Sequence, residues 1–436
     1  VSYAAVTGAK ADSEDVAAPS SSAASTSAAS SVSSPAAAQK RLTVGLIAIV
    51  SITAFDALAA STILPAVLKE LGGLSYYGGA FGGFMLTNVV SIIVAGRHVD
   101  RRGIVKSFFA GCALFAFGLV VAGIARAMPV VVLGRMVQGF GAGAISSVSY
   151  VAVARGYSQD ERPRMLALIS TAWVVPGLVG PAIATQIAEH LGWRWVFLGL
   201  VPMTALAAGV ALPGLARLQP APEGAPTPRF VDYLAVGSAD AGTARIGRSA
   251  LVAMMLLTCA FFGTEAFVPL TLSTLRGQSL TAGGLAVTAS TLSWTVGAWV
   301  QERLVRKQRF RTLARAGLLL LALGIGGFST LILGDTAISI GVTAWTIAGL
   351  GMGVAFATLS LVVLSSPAPG KEGIAATALQ LSNVVGSALG TGFGGGMVAL
   401  AVGLARPQAF GVAATLVAMA VSALAAFAVA GRLSNA

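Results

Sequence analysis

The sequence predicts an all-α polytopic membrane protein, with twelve transmembrane helices arranged as two pseudo-symmetric six-helix bundles. Three observations predict it. Charge is scarce, the basic residues crowd onto alternate loops, and the second half repeats a pattern of the first at a fixed offset.

The chain has 436 residues, of which 28 are Lys or Arg and 16 are Asp or Glu. That is 10 % charged, where soluble domains carry roughly 25 %. Hydrophobic residues make up 56 %. A soluble protein of this size could not cover its surface, so soluble enzymes, DNA-binding proteins and disordered scaffolds are excluded as classes.

The elements follow in order. Residues 1–41 are Ser/Ala-rich and lack the apolar stretch of a signal peptide, so they read as a disordered cytoplasmic tail. Span one, 42–68, is interrupted only by Asp56. Spans two to six are the charge-free runs 71–96, 107–125, 136–154, 165–188 and 195–216. Residues 218–248 are Pro-rich at their start and read as a cytoplasmic linker between bundles 42–217 and 249–431. Span seven, 249–275, is interrupted only by Glu265. Spans eight to twelve are 277–301, 316–334, 336–370, 373–405 and 407–431, and 432–436 is a short tail. Each run reaches the 18 residues that a membrane helix needs. They lack the alternation and aromatic girdles of a barrel.

With the N-terminus inside, 22 basic residues fall on inside segments and five on outside ones. The remaining one, Arg135, lies within a span. This bias predicts that both termini are cytoplasmic in a cell (plasma) membrane. It also accounts for the net charge of +12 as topology, so no nucleic-acid partner is expected. Cys112 and Cys259 both lie in spans and read as packing residues. With only two His in the chain, no metal cluster is expected.

An offset of 210 residues lays span four over span ten. Gly139, Gly141 and Gly143 then coincide with Gly349, Gly351 and Gly353, and Gly180 with Gly390. Such repeats suit secondary transporters, whose substrate site lies between the halves. Gly177, Gly180, Pro181 and Ala184 share one face of span five. That face serves either static packing or, with Pro176 and Pro181 loosening the backbone, a bend that lets the halves rock.

Ionisable side chains inside spans are costly and are functional candidates. Asp56, Arg135 and Glu265 lie about 15, 9 and 12 Å from the outer end of their spans at the ~1.5 Å helical rise. A cavity could unite them. Arg135 reads either as a structural ion pair or, with Gln138 and Ala142 on its face, as part of a cavity wall. Asp56 reads as its static partner or as a carboxyl that is neutral when dry and ionised when wet. Glu265, flanked by Phe261, Phe262 and Phe267, reads as a protonated acid, a contact for an aromatic-loving cation, or a helix-end acid in outer water.

Four local patterns resemble the major facilitator superfamily, in particular its twelve-span drug:proton antiporters, over about 42–431. The loop after span two carries Gly96, Asp100, Arg101 and Gly103, matching G-x-L-A-D-R-x-G-R-K. The resemblance implies that this loop ties the halves together on the cytoplasmic face. Arg135, Gln138, Gly139, Gly141 and Ala142 match R-x-x-Q-G-x-G-A, whose arginine is implicated in proton coupling. Gly180-Pro181 resembles the antiporter motif of span five, and Trp193-Arg194-Trp195-Val196-Phe197 resembles W-R-W-x-F.

The reading is a non-enzymatic secondary transporter that needs no cofactor, draws on the proton gradient, and acts as a monomer in the bilayer on a small-molecule substrate. Its first form is proton-coupled export of hydrophobic or cationic drug-like compounds by alternating access. Asp56, Arg135 and Glu265 would couple proton and substrate, and Gln138, Trp345 and Phe262 would line the cavity. Transport of a defined metabolite, such as a sugar or amino-acid derivative, is the alternative, and Asn88, Gln380 and Asn383 leave room for it. A lipid-handling or non-transporting regulatory membrane protein is the third.

Overall fold

The computed structural model describes residues 35–158, 161, 165, 168–169, 171–218, 241–305, 307–365 and 372–433. A chain in lipid must satisfy its backbone polar groups internally, and long apolar runs do so as helices. Twelve long helices result. They are α1 (Pro35–Leu71), α2 (Tyr77–Arg102), α3 (Ile104–Gly123), α4 (Met128–Gly156), α5 (Val174–His190) and α6 (Leu200–Leu215), then α7 (Ala241–Glu265), α8 (Leu280–Leu304), α9 (Phe310–Ser329), α10 (Ile338–Ser365), α11 (Glu372–Gly403) and α12 (Gln408–Ala430). Among the described residues, ten helical spans are long and apolar enough to cross a membrane. The other two helices are α5, described over 17 residues, and α8, which carries Thr281, Thr288, Ser290, Thr291, Ser293 and Thr295. Leu86, Leu206, Leu323 and Val417 stand exposed around the outside, as lipid-facing side chains do.

The first described residues of two helices lie before the charge-free runs: Pro35 of α1 precedes residue 42, and Ala241 of α7 precedes residue 249. Charge marks where lipid ends, whereas a helix continues into water while its residues favour it, as Ala36, Ala37, Gln39, Lys40 and Arg41 do. The rest of the tail, linker residues 219–240 and 434–436 lie outside the described residues.

The two bundles pack alike. α4 lies against α2 and α3, as α10 lies against α8 and α9. α1 meets α5 and α6, as α7 meets α11 and α12. The repeated glycines explain the match. A Cβ at Gly139 would strike the Phe84 carbonyl, and one at Gly349 the Ser290 carbonyl. At Gly143 and Gly353 the obstacles are the carbonyls of Asn88 and Trp294. A hydrogen bond recurs beside each site: Thr87 Oγ1 donates to Met136 O at 2.7 Å, and Ser293 Oγ to Thr346 O at 2.6 Å. Small residues thus let backbones touch where lipid supplies no hydrophobic drive.

The bundles meet along two seams, α2 with α11 and α5 with α8. In the first, the backbones of Gly78 and Gly395 are in direct contact, and Gly82 lies on Gly392. In the second, Glu189 accepts from Thr281 Oγ1 at 2.8 Å, and Gly284 rests on Thr185 and Pro181. Both seams lie toward the ends that the charge distribution assigns to the outside.

α5 begins after a turn at Ala172–Trp173. Pro176 explains the break, because it has no N–H to offer the Ala172 carbonyl four residues back. That carbonyl accepts instead from Ser51 Oγ of α1 at 3.0 Å. The break sits at Pro176, whereas Pro181 lies inside a continuing helix.

Candidate functional site

α1 carries Asp56 inward and α4 carries Arg135 to meet it. Arg135 Nη1 lies 2.6 Å from Asp56 Oδ2, with the two side chains 2 % and 1 % exposed. The same Nη1 donates to Gln138 Oε1 at 2.5 Å, one helical turn on. Arg135 Nε points at the Ala80 carbonyl at 3.4 Å, and the guanidinium lies 4.2 Å from the centre of the Phe84 ring. Asp56 Oδ1 and Gln138 Nε2 are buried without partners. Burying two charges is expensive, and the pairing and hydrogen bonds offset that cost only while both partners remain. This knot joins α1, α2 and α4.

The third charge sits apart. α7 ends at Glu265, and Pro269 has no N–H for the Glu265 carbonyl, so the helix breaks there. Phe267 N bonds Thr264 O at 2.9 Å across the break. The Ala266 carbonyl accepts from Tyr77 Oη of α2 at 3.2 Å, and the Tyr77 and Phe267 rings lie 5.8 Å apart. The seam between the bundles therefore touches the residue next to Glu265.

A cavity of about 410 Å³ lies between the bundles. It extends from Glu265 and Thr391 near the seam toward Tyr150 and Gln380 at the other end. Aromatic side chains line it from both bundles: Phe81, Phe84, Tyr150 and Trp173 from the first, and Phe261, Phe262, Trp294 and Phe356 from the second. Phe261 meets Trp294 edge-on at 5.4 Å, and Trp294 lies 5.5 Å from Phe356. Among the described residues, Glu265 is the cavity's sole carboxylate and no Lys or Arg lines it. Its carboxylate forms no ion pair or hydrogen bond there.

The expected residues thus divide. Asp56, Arg135 and Gln138 come together, while Glu265 and Phe262 face the cavity. Gln138 does not line it, because it is fully buried with Oε1 turned to Arg135. Trp345 does not line it either, because it is stacked behind Phe261 at 5.0 Å and fully buried. Gly177 packs on Thr291 of α8 and Gly180 on the Phe55 ring. Gly96, Asp100 and Arg101 fall in the last turns of α2, and their side chains lie outside the described residues. Gly103, between α2 and α3, holds φ at +87°, where a side chain would be strained. The W-R-W segment clamps α1: Trp193 Nε1 and Arg194 Nη1 each donate to Glu70 at 2.7 Å.

Sequence reasoning missed Tyr77 and Trp294. Trp294 takes beside Gly353 the place that Asn88 takes beside Gly143, so the 210-residue offset does not point to it. Nothing local marks Tyr77.

The model of the Major Facilitator Superfamily matches residues 46–391. The vacuolar basic amino acid transporter 5 of Saccharomyces cerevisiae is 30 % identical over 156 residues, covering 36 % of this chain and 27 % of that protein. The multidrug transporter protein MdtP of Bacillus subtilis is 23 % identical over 397 residues, covering 80 % of this chain and 73 % of that one. The match thus spans well under two thirds of the yeast relative. Among solved structures, a bacterial homologue of the human lysosomal transporter Spinster, inward-facing and unoccupied, aligns with a TM-score of 0.69 at 15 % identity. It covers 90 % of this chain and 96 % of that one, and it establishes likeness of fold.

Proposed function

The chain belongs to the major facilitator superfamily, whose members are in general transporters rather than enzymes, and we propose that it exports hydrophobic, cationic compounds in exchange for protons. The observation that carries this reading is the cavity: lined by aromatic side chains from both bundles, free of Lys and Arg among the described residues, and bearing one unpaired carboxylate. Aromatic faces attract desolvated cations, and Glu265 supplies the opposite charge. A proton on Glu265 removes that attraction, so proton and cation compete for one group.

The Asp56–Arg135 knot is the coupling element in this reading. A proton taken up by Asp56 Oδ2 cancels the charge that holds Arg135, which keeps only Gln138 and the Ala80 carbonyl. α1 and α4 are then less tightly joined, and the bundles can change their relative tilt. Proton entry from outside and release inside return the molecule to the state closed at the α2–α11 and α5–α8 seams. The transporter works as a monomer in the plasma membrane, with both termini cytoplasmic and the proton gradient as its energy source.

In proteoliposomes loaded with a pH-sensitive dye, a lipophilic cation should drive proton movement that Asp56→Asn abolishes. Coupled movement that survives Asp56→Asn would overturn the assignment. A second reading, transport of a polar metabolite, is favoured by Asn88, Gln380 and Asn383, all of which line the cavity. The yeast relative's name, a basic amino acid transporter, points the same way. Thermal-shift screening against lipophilic cations and amino acids at two pH values separates the two readings.

A further inference from the structure

The start of α9 and the end of α12 border an open cup of about 410 Å³, lined by Arg309, Arg311, Thr312, Arg315, Ala316, Leu319 and Phe427. Among the described residues it is lined by three guanidinium groups and no acid. Arg315 lies with its guanidinium carbon 4.1 Å from the centre of the Phe427 ring. Its Nε is buried and has no hydrogen-bond partner. Among the described residues, the side chains of Arg309 and Arg311 make no hydrogen bond or ion pair either. Like charges held this close repel one another, and the positive end of the α9 dipole adds to the field. Among the described residues, nothing balances this cluster.

The cup continues into lipid. Leu319 and Leu323 follow Arg315 at four-residue spacing on α9, and both are exposed. Val417, Val421 and Leu424 are exposed on α12 and lead up to Phe427. A polar, cationic cup thus opens onto an apolar lane at the end of the helices that the charge distribution assigns to the cytoplasm. Basic pockets between membrane helices on that side suit anionic headgroups.

We propose that this cup holds the phosphate of an anionic phospholipid, with one acyl chain lying along the lane between α9 and α12. The two free N–H groups of a guanidinium match a phosphate bidentately, and a soluble phosphate would leave the apolar lane unused. The site is separate from the central cavity and does not depend on what the protein transports.

The test is a native mass-spectrometry titration of the full chain in detergent with palmitoyl-oleoyl phosphatidylglycerol, the matching phosphatidylcholine, and inorganic phosphate. Phosphatidylglycerol adducts should form preferentially, and Arg311→Ala with Arg315→Ala should weaken them by roughly tenfold or more. Millimolar inorganic phosphate should not displace the lipid. Unchanged binding in the double variant would overturn the proposal, and displacement by phosphate alone would reassign the cup to a soluble anion. Should the variant not fold, a phosphatidylglycerol with a photoreactive acyl chain is applied to the unaltered protein. Crosslinks at 319–323 or 417–427 are expected, and crosslinks confined elsewhere would overturn the proposal.

Discussion

The two bundles share one scaffold and fill it with opposite chemistry. In the first, the position facing the repeat's core is Arg135, tied to Asp56, Gln138 and the face of Phe84. In the second, the equivalent position is Trp345, stacked on Phe261 and 6.0 Å from Phe328. The glycines that bring the helices together are the same in both. The repeat therefore keeps the backbone approach, while side chains are free to specialise: one bundle holds the buried Asp56–Arg135 pair and the other a stacked aromatic cluster around Trp345. The proposed exchange uses both kinds of surface, and a duplicated scaffold can supply them without building two folds.

The sharpest way to break this comparison is Arg135→Ala. It strands a buried carboxylate, so we expect a loss of about 3–5 kcal/mol. Asp56→Leu combined with Arg135→Met removes both charges and should recover most of that loss, read as melting temperature by fluorescence-detected gel filtration. A double variant as unstable as the single one would mean that the pair is not held for its charge. Trp345→Ala, the matched change in the other bundle, leaves a cavity but no charge, and should not be rescued by a second polar change.

The shared part of the scaffold is tested next. Gly139→Ala and Gly349→Ala each drive a methyl into a backbone carbonyl and should cost about 1–3 kcal/mol. Similar losses support equivalence of the halves, and a difference above about 1 kcal/mol between them breaks it.

Glu265→Gln addresses the cavity. Affinity for a lipophilic cation should fall about tenfold, or about 1.4 kcal/mol, while an uncharged analogue binds as before. Equal loss for both compounds in a fluorescence-quenching titration would show that Glu265 acts through shape and not charge. The smallest effect is expected at the rim. The Arg194–Glu70 pair is 35 % and 49 % exposed, so Arg194→Ala should cost under about 1 kcal/mol and less in high salt. That expectation is checked by melting in low and high salt.

The spans were legible in the sequence because lipid imposes one rule on every backbone group, and scarcity of charge reports it directly. The same scarcity exposed Asp56, Arg135 and Glu265. Their arrangement was harder to read. Equal depth suggested one cluster, but depth fixes a residue's height and not the face of the helix it occupies. Glu265 stands apart because the break at Pro269 ends α7 and presents the acid to the cavity. Trp345 was misplaced for a related reason. Symmetry put it opposite Arg135, yet Phe261 on the neighbouring helix comes between it and the cavity. The Tyr77 contact joins residues 189 positions apart, and no local spacing encodes such a pair.

The meeting of Gly78 with Gly395 has a consequence for how the molecule opens. Two backbones without side chains form a joint that has no teeth. At this point no side chain interlocks, so only the neighbouring Tyr77 must leave the Ala266 carbonyl when the bundles part, and the joint can close again in the same register. A single methyl at either residue would act as a wedge driven into a door jamb. Such a change should leave each bundle intact and bias the whole population toward the opposite-facing state.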